Sequence, residues 1–279
     1  MKKITRRSFL AAAGLTAAAL ALTACGGSSS STASSTASSA AASSEAASSS
    51  AAAELTTVEA GKLTMATNAT FPPYEMTTDT GAFEGIDVDT AQAIAEKLGL
   101  ELQIDDMEFD AALLSVQQGK ADIVMAGVTV TDERKAVMDF SDSYATGIQS
   151  IIVPEGSDIA TPDDLAGKKI GTQRGTTGYI YCSDDFGDEN VVAYDSGLTA
   201  VQALNNGQVD AVVIDNAPAK EYVAANPGLV ILDTSYAEED YAIGMAKGSA
   251  LEDAINAALE ELKADGTLQS IVDKYITAE

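Results

Sequence analysis

A two-lobed α/β architecture, each lobe a mostly parallel sheet flanked by helices, is what the 279-residue sequence predicts. Three observations lead there. Apolar runs of strand length alternate with helical patterns from Leu63 onward, the order that builds parallel sheets. Residues 115–127 align without gaps on residues 203–215, each reading as a helix that ends in two amides and a glycine, then an Asp and a buried apolar strand. A segment past the second unit is placed to complete the first, which predicts two crossings between lobes, near 144–148 and 237–241.

Taken in order, residues 63–67 alternate and read as a strand, and the two prolines of Asn68-Ala-Thr-Phe71-Pro-Pro-Tyr74-Glu75 exclude a helix from the next loop. Residues 81–85 read as a hairpin turn. Asp87 is placed to cap a helix with Val88, Ala91, Ala95 and Leu98 on one face, closed by Gly99. A strand over 100–104 follows, then a helix capped by Asp110 and ended by Gly119. Residues 123–126 form a short, wholly apolar strand that runs into Gly127, Thr129, Thr131 and, at a helix start, Arg134. In the second unit, 148–154 and 169–172 read as strands. Thr161-Pro162-Asp-Asp164 has the Thr cap, early Pro and acids of a helix N-terminus. Residues 241–246 read as a strand, and Leu251, Ile255, Ala258, Leu259 and Leu262 form one face of a long helix before Gly266 and a last helix to Tyr275.

The first residues are not part of this fold. A basic start with Lys2, Lys3, Arg6 and Arg7, an apolar Ala/Leu run and Leu22-Thr-Ala-Cys25 form a signal peptide over 1–24. Residues 25–58 are rich in Ser, Ala and Thr and read as a flexible linker. Without the four basic residues of the signal, 12 of the 16 Lys and Arg remain against 42 acids, a net charge of −30. Nucleic acid is excluded as a partner, because phosphate binding needs clustered Lys and Arg. Histidine is absent, which removes Ser-His and Cys-His nucleophile systems and most zinc sites. No metal or other cofactor is expected, and Cys182 reads as a structural thiol.

Ligands of open α/β sheets bind at the carboxyl ends of the strands. That rule puts Asn68, Phe71, Phe109 and Gly127 on one edge. A strand ending on glycine bares its backbone carbonyl and amide, and Arg134 has the planar fork that holds a carboxylate bidentately. The stretch fits either a small-molecule carboxylate site or a β-α turn whose arginine pairs with a neighbouring acid. Gly127 and Asp215 fall at matching places in the repeat, which suggests a cleft with one polar group from each lobe. Glu75 reads as loop surface, Asp87 and Asp89 as helix-start residues, and Asp110, Asp139 and Asp142 as caps and solvated face.

Residues 60–277 resemble the family 3 bacterial extracellular solute-binding proteins, the polar amino-acid receptors of ABC importers. The likeness is carried by Ala66-Thr-Asn-Ala-Thr-Phe-Pro-Pro-Tyr-Glu75, Gly85-Ile-Asp-Val-Asp89, Gly127-Val-Thr-Val-Thr-Asp-Glu-Arg134 with Asp139-Phe-Ser-Asp142, and Gln173-Arg-Gly-Thr-Thr177. The resemblance implies a type II periplasmic-binding-protein-like fold, with lobe 1 over 59–145 and 239–279 and lobe 2 over 146–238. It implies a free amino acid as ligand, no catalysis, and an ABC permease in the membrane as partner of a monomeric receptor. Arg134 and Thr129 would take the α-carboxylate, with Thr177 adding a helix N-terminus. The Gly127 carbonyl and Asp215 would take the ammonium, and Phe71 and Phe109 would wall the side chain. Asn68 and Gln173 stand where several members have aspartate and lysine, which favours a polar, uncharged ligand side chain. Thr-Arg-Arg-Ser-Phe-Leu resembles a twin-arginine export motif and Leu-Thr-Ala-Cys a lipobox, which implies a lipidated Cys25 and anchoring at the outer face of the cell membrane. Two other activities belong to similar chains: a cyclohexadienyl dehydratase, in which Glu75, Asp215 or a tyrosine would have to donate the proton, and an amino-acid sensing domain.

Overall fold

The computed structural model describes residues 55–276; the export segment, Cys25 and most of the linker lie outside the described residues. The first part of the chain runs β1 (Lys62–Thr67), β2 (Thr70–Phe71), β3 (Glu75–Thr77), β4 (Phe83–Glu84), α1 (Ile86–Leu98), β5 (Glu101–Asp106), α2 (Phe109–Gln117), β6 (Ile123–Val124), α3 (Asp132–Val137) and β7 (Met138–Phe140). The second part runs β8 (Ala145–Pro154), a 3₁₀ turn (Pro162–Leu165), β9 (Ile170–Gln173), α4 (Thr177–Phe186), β10 (Val191–Tyr194), α5 (Gly197–Asn205), β11 (Ala211–Asp215), α6 (Asn216–Ala225), β12 (Leu229–Ile231) and β13 (Ala237–Tyr241). The chain closes with β14 (Gly244–Ala246), α7 (Glu252–Ala264) and α8 (Thr267–Tyr275).

Two large sheets and a small one, β2-β3-β4, organise these elements. The first has the order β5-β1-β6-β14-β7 and the second β10-β9-β11-β8-β12, with β13 also paired to β8. In each, three neighbouring strands are parallel and the rest are antiparallel additions, so both sheets are mixed. The chain passes from the first sheet to the second through 141–144 and returns through 242–243. Helices α1 and α7 bury Ile86, Val88, Ala91, Ile94, Ile255, Ala258, Leu259 and Leu262 in one core with Leu63 and Met65 of β1. The predicted stripe of α7 is therefore the stripe that packs. Cys182 is buried in a second-lobe cluster, and burial pushes its thiol up to about 12.

The repeat extends to individual hydrogen bonds. Gln118 and Asn206 N–H donate to Leu114 and Gln202 carbonyls, and Lys120 and Gln208 N–H to Ser115 and Ala203. Gly119 and Gly207, both at φ 66°, make the left-handed turn that ends each helix. Asp122 then accepts from Thr64 N–H at 2.7 Å, and Asp210 from Lys169 N–H at 2.8 Å. Each aspartate clamps the start of the adjacent parallel strand, which is why both units carry it. Met65 pairs with Ile123 and Ala66 with Val124, as Ile170 pairs with Ala211 and Gly171 with Val212. Counting forward from these pairs, Gly127 corresponds to Asp215, and Asn68 to Gln173.

Several local expectations are corrected. The cap position of α1 is Gly85, not Asp87, whose side chain turns inward and is fully buried. The cap position of α2 is Glu108, so Asp110 lies in the first turn and does not cap it. The 241–246 stretch is two strands in different sheets, and Thr161 opens a single 3₁₀ turn although its capping box forms. Only Ile123 and Val124 of 123–126 pair as strand. The hairpin closes over 78–82, with Gly85 already entering α1.

Candidate functional site

The carboxyl ends of β1, β6, β9 and β11 converge on a cavity of about 30 Å³ between the lobes. All nine residues expected there, Asn68, Phe71, Phe109, Gly127, Thr129, Arg134, Gln173, Thr177 and Asp215, line it. The lobes touch across it: the Gln173 amide donates to Asn68 Oδ1 at 2.8 Å, so the two equivalent positions of the repeat bond to each other.

Arg134 reaches the cavity because Thr131 caps α3, its hydroxyl accepting from Arg134 N–H at 3.2 Å. The guanidinium is buried; Nη1 donates to Thr129 O at 2.8 Å and Nη2 to Gly175 O at 3.1 Å, and its carbon stands 5.4 Å from the Phe109 ring centroid. Burial lowers its pKa, opposed by the charge of Glu239. A guanidinium has five N–H donors, so three remain for a ligand. Thr129 Oγ1 lies 3.4 Å from Thr177 Oγ1 and donates to Glu239 at 3.1 Å. Thr177 is the first residue of α4, capped by Thr176, so the amides around it point out of the helix without helical acceptors.

Asp215 faces Arg134's lobe from the end of β11. It caps α6 by accepting from Ala217 N–H (2.9 Å), and its other oxygen accepts from Ile148 N–H (2.8 Å) and Tyr241 OH (2.9 Å). Burial pushes it up to about 6, against those donors. On the other lobe Gly127, at φ 54°, has no room for a side chain: a Cβ there would stand 2.8 Å from the Phe71 ring. Its N–H donates to Asp87 at 3.0 Å. Phe71 stacks on Tyr74 with centroids 5.7 Å apart.

Three functional candidates, Gln149, Glu239 and Tyr241, have no place in the sequence reading, and a fourth, Glu75, is corrected. Glu75, expected on the loop surface, is fully buried and lines the cavity, as do Gln149 and Tyr241. Glu239 stands behind Thr129, accepting from Gln149 at 2.9 Å. The alternation of Ala237, Glu239 and Tyr241 was the available signal for that strand; for Glu75 it was its place in a two-sided strand after the Pro-Pro loop. Among the described residues no cluster of metal-ligating side chains occurs, and no helix is long and apolar enough to cross a membrane.

Two α/β lobes around one interlobe cavity give the chain the fold of the type II periplasmic solute-binding proteins. The sequence profile of the bacterial extracellular solute-binding proteins, family 3, matches residues 63–278, and the chain belongs to that family. Its members bind solutes and are not enzymes. The L-cystine-binding protein TcyJ of Escherichia coli (strain K12) is 33% identical over 226 residues, covering 79% of this chain and 85% of that protein. The arginine-, lysine-, histidine-binding protein ArtJ of Geobacillus stearothermophilus has a similar crystal structure, with TM-score 0.75 and 34% identity over 78% of this chain and 96% of that one. An ancestral arginine-binding protein bound to glutamine gives TM-score 0.75 and 42% identity over 78% and 99%.

Proposed function

We propose that this chain is the amino-acid receptor of an ABC importer, binding one free α-amino acid between its lobes and handing it to a membrane permease. The observation that carries the reading is that buried Arg134 and buried Asp215 line one cavity from different lobes. The three free N–H groups of Arg134, with Thr129 and the start of α4, meet the α-carboxylate. Asp215 and the Gly127 carbonyl meet the ammonium. Each is a charge-assisted bond in a dry site. Phe71 and Phe109 flank the side chain, which ends at Asn68, Gln173 and Glu75. Lobe 1 is 59–145 with 239–279, lobe 2 is 146–238, and the two crossings act as the hinge; ligand contacts to both lobes favour the closed state.

A cationic side chain is favoured by Glu75, a buried carboxyl without a hydrogen-bond donor, and by likeness to a protein named for arginine, lysine and histidine. A polar, uncharged side chain is favoured by the neutral Asn68 and Gln173 and by a relative bound to glutamine. A thermal-shift screen across the free amino acids separates the two: a ligand at 100 times its dissociation constant adds about 2.7 kcal/mol. Stabilisation by arginine or lysine is expected; stabilisation by glutamine alone favours the neutral reading, and none by any amino acid refutes both. The receptor acts as a monomer tethered through lipid on Cys25, outside the described residues. Cys25→Ala is expected to move it from the membrane fraction to the soluble one.

A further inference from the structure

Glu75 is the one carboxyl of the cavity with nothing to hold its charge. Its side chain is fully buried, and no donor reaches either oxygen. Every ionisable group that faces it is acidic: Asp87 from α1, Asp106 from the end of β5, the neighbouring Tyr74, Tyr144 from the crossing between lobes and Tyr222 from α6. Asp87 is also fully buried, but it has donors: Tyr144 OH at 2.7 Å and Gly127 N–H at 3.0 Å. Arg134, the only cation lining the cavity, spends two of its N–H groups on the Thr129 and Gly175 carbonyls.

Two carboxyl groups side by side in a dry interior do not both ionise. Asp87 is solvated by its donors, so the proton resides on Glu75. We propose that the ligand-free receptor stores one proton on the Glu75–Asp87 pair and exchanges it for the cationic side chain of its ligand. The exchange balances: the neutral Glu75 acid gives its proton to bulk water, and the carboxylate left behind accepts the ligand's N–H donors. The proposal rests on the cationic reading above. The pKa directions agree with it, burial first and Asp87 second raising Glu75 well above the carboxylate range, and burial lifting Asp87 to about 6.

The consequence is a receptor that lets go of its ligand in acid. Where the free site holds the proton and the complex does not, affinity falls about tenfold per unit drop in pH. Asp215 adds a linkage of its own below its value of about 6, facing Tyr74, Tyr241 and Glu239, but that one applies to any α-amino acid. The two are separated by comparing ligands at pH 7.

The test is titration calorimetry of the wild-type protein with L-arginine and with L-glutamine at pH 7, in two buffers of different ionisation heat. About one proton released per arginine is expected, and close to none per glutamine. Glu75→Gln, checked for folding by circular dichroism, is expected to bind arginine without proton release. Arginine binding with no buffer dependence overturns the exchange and leaves the cationic ligand standing. Equal proton release by wild type and Glu75→Gln also overturns it. Binding of glutamine with none of arginine overturns the cationic reading and the exchange together.

Discussion

Replacing Arg134 with alanine tests the site most directly. In the closed protein two of its five N–H donors are held by carbonyls, Thr129 O at 2.8 Å and Gly175 O at 3.1 Å. The remaining three include Nε–H and one N–H on each terminal nitrogen, enough for a two-point grip on a carboxylate. Removing one partner of a buried charge pair costs about 3–5 kcal/mol, because the other charge stays desolvated. That converts to a dissociation constant raised by roughly two to three and a half orders of magnitude. The variant also orphans the buried Thr129 carbonyl and the part-buried Gly175 carbonyl, about 1–3 kcal/mol of stability, which a thermal melt records separately. Calorimetry on folded Arg134→Ala with the amino acid that stabilises the wild type reads the affinity. Arg134→Lys keeps the charge without the planar fork, so its affinity is expected between the two. Affinity within tenfold of wild type in Arg134→Ala refutes the carboxylate grip; a lysine variant equal to wild type refutes the fork geometry.

Gly127→Ala puts a Cβ 2.8 Å from the Phe71 ring and 3.3 Å from Tyr241 at φ 54°; overpacking of about 1–3 kcal/mol is expected, with the affinity for the amino acid reduced more than tenfold in calorimetry. Ile255, fully buried on α7, lies in the first-lobe core away from the cavity lining. Ile255→Ala is expected to cost about 2–5 kcal/mol in urea denaturation while leaving the ligand affinity unchanged. For pH, Asp87 and Asp215 are each raised from 3.8 to about 6 in the folded protein. A raised carboxyl favours the fold below the unfolded value and loses that contribution as pH rises through the folded one. Ligand-free stability is therefore expected to fall between about pH 4 and pH 7; denaturation midpoints that rise over that window contradict it.

The fold was legible where burial on both sides makes a strand wholly apolar. Residues 123–124 and 211–214 announce themselves that way, and glycines at 119 and 207 mark the helix ends before them. The antiparallel strands at the lobe crossings were harder. The β13 sequence Ala-Glu-Glu-Asp-Tyr looks like a solvated acidic stretch, yet it pairs with 145–149 along its whole length and buries Glu239 and Tyr241. Composition reads it as surface because the partners of its buried glutamate, Thr129 and Gln149 on Oε2, lie 110 and 90 residues away. Asp87 was misplaced for the same reason: the first turn of a helix is where an exposed acid belongs, and only Tyr144 and Gly127, from other elements, draw it inward.

The site divides along the same line. Its main-chain frame follows from the repeat, which places Gly127 opposite Asp215 and Asn68 opposite Gln173 at equivalent strand ends. A duplicated frame alone would present the same groups twice. Specific recognition of an amino acid needs opposite charges at its two ends, so the lobes must differ at the equivalent positions, and they do. Gly127 yields space and a carbonyl where Asp215 supplies a carboxylate, and Arg134 has no counterpart among the second-lobe residues lining the cavity. The side-chain end breaks the symmetry further. Asn68 and Gln173 bond to each other across the cleft, whereas Glu75, on the same cavity, has no donor from either lobe. A buried carboxyl left in that condition costs stability unless it is neutral or meets a cation. The residue that the linear pattern assigned to the surface is thus the one whose energetics depend most on what enters the cleft.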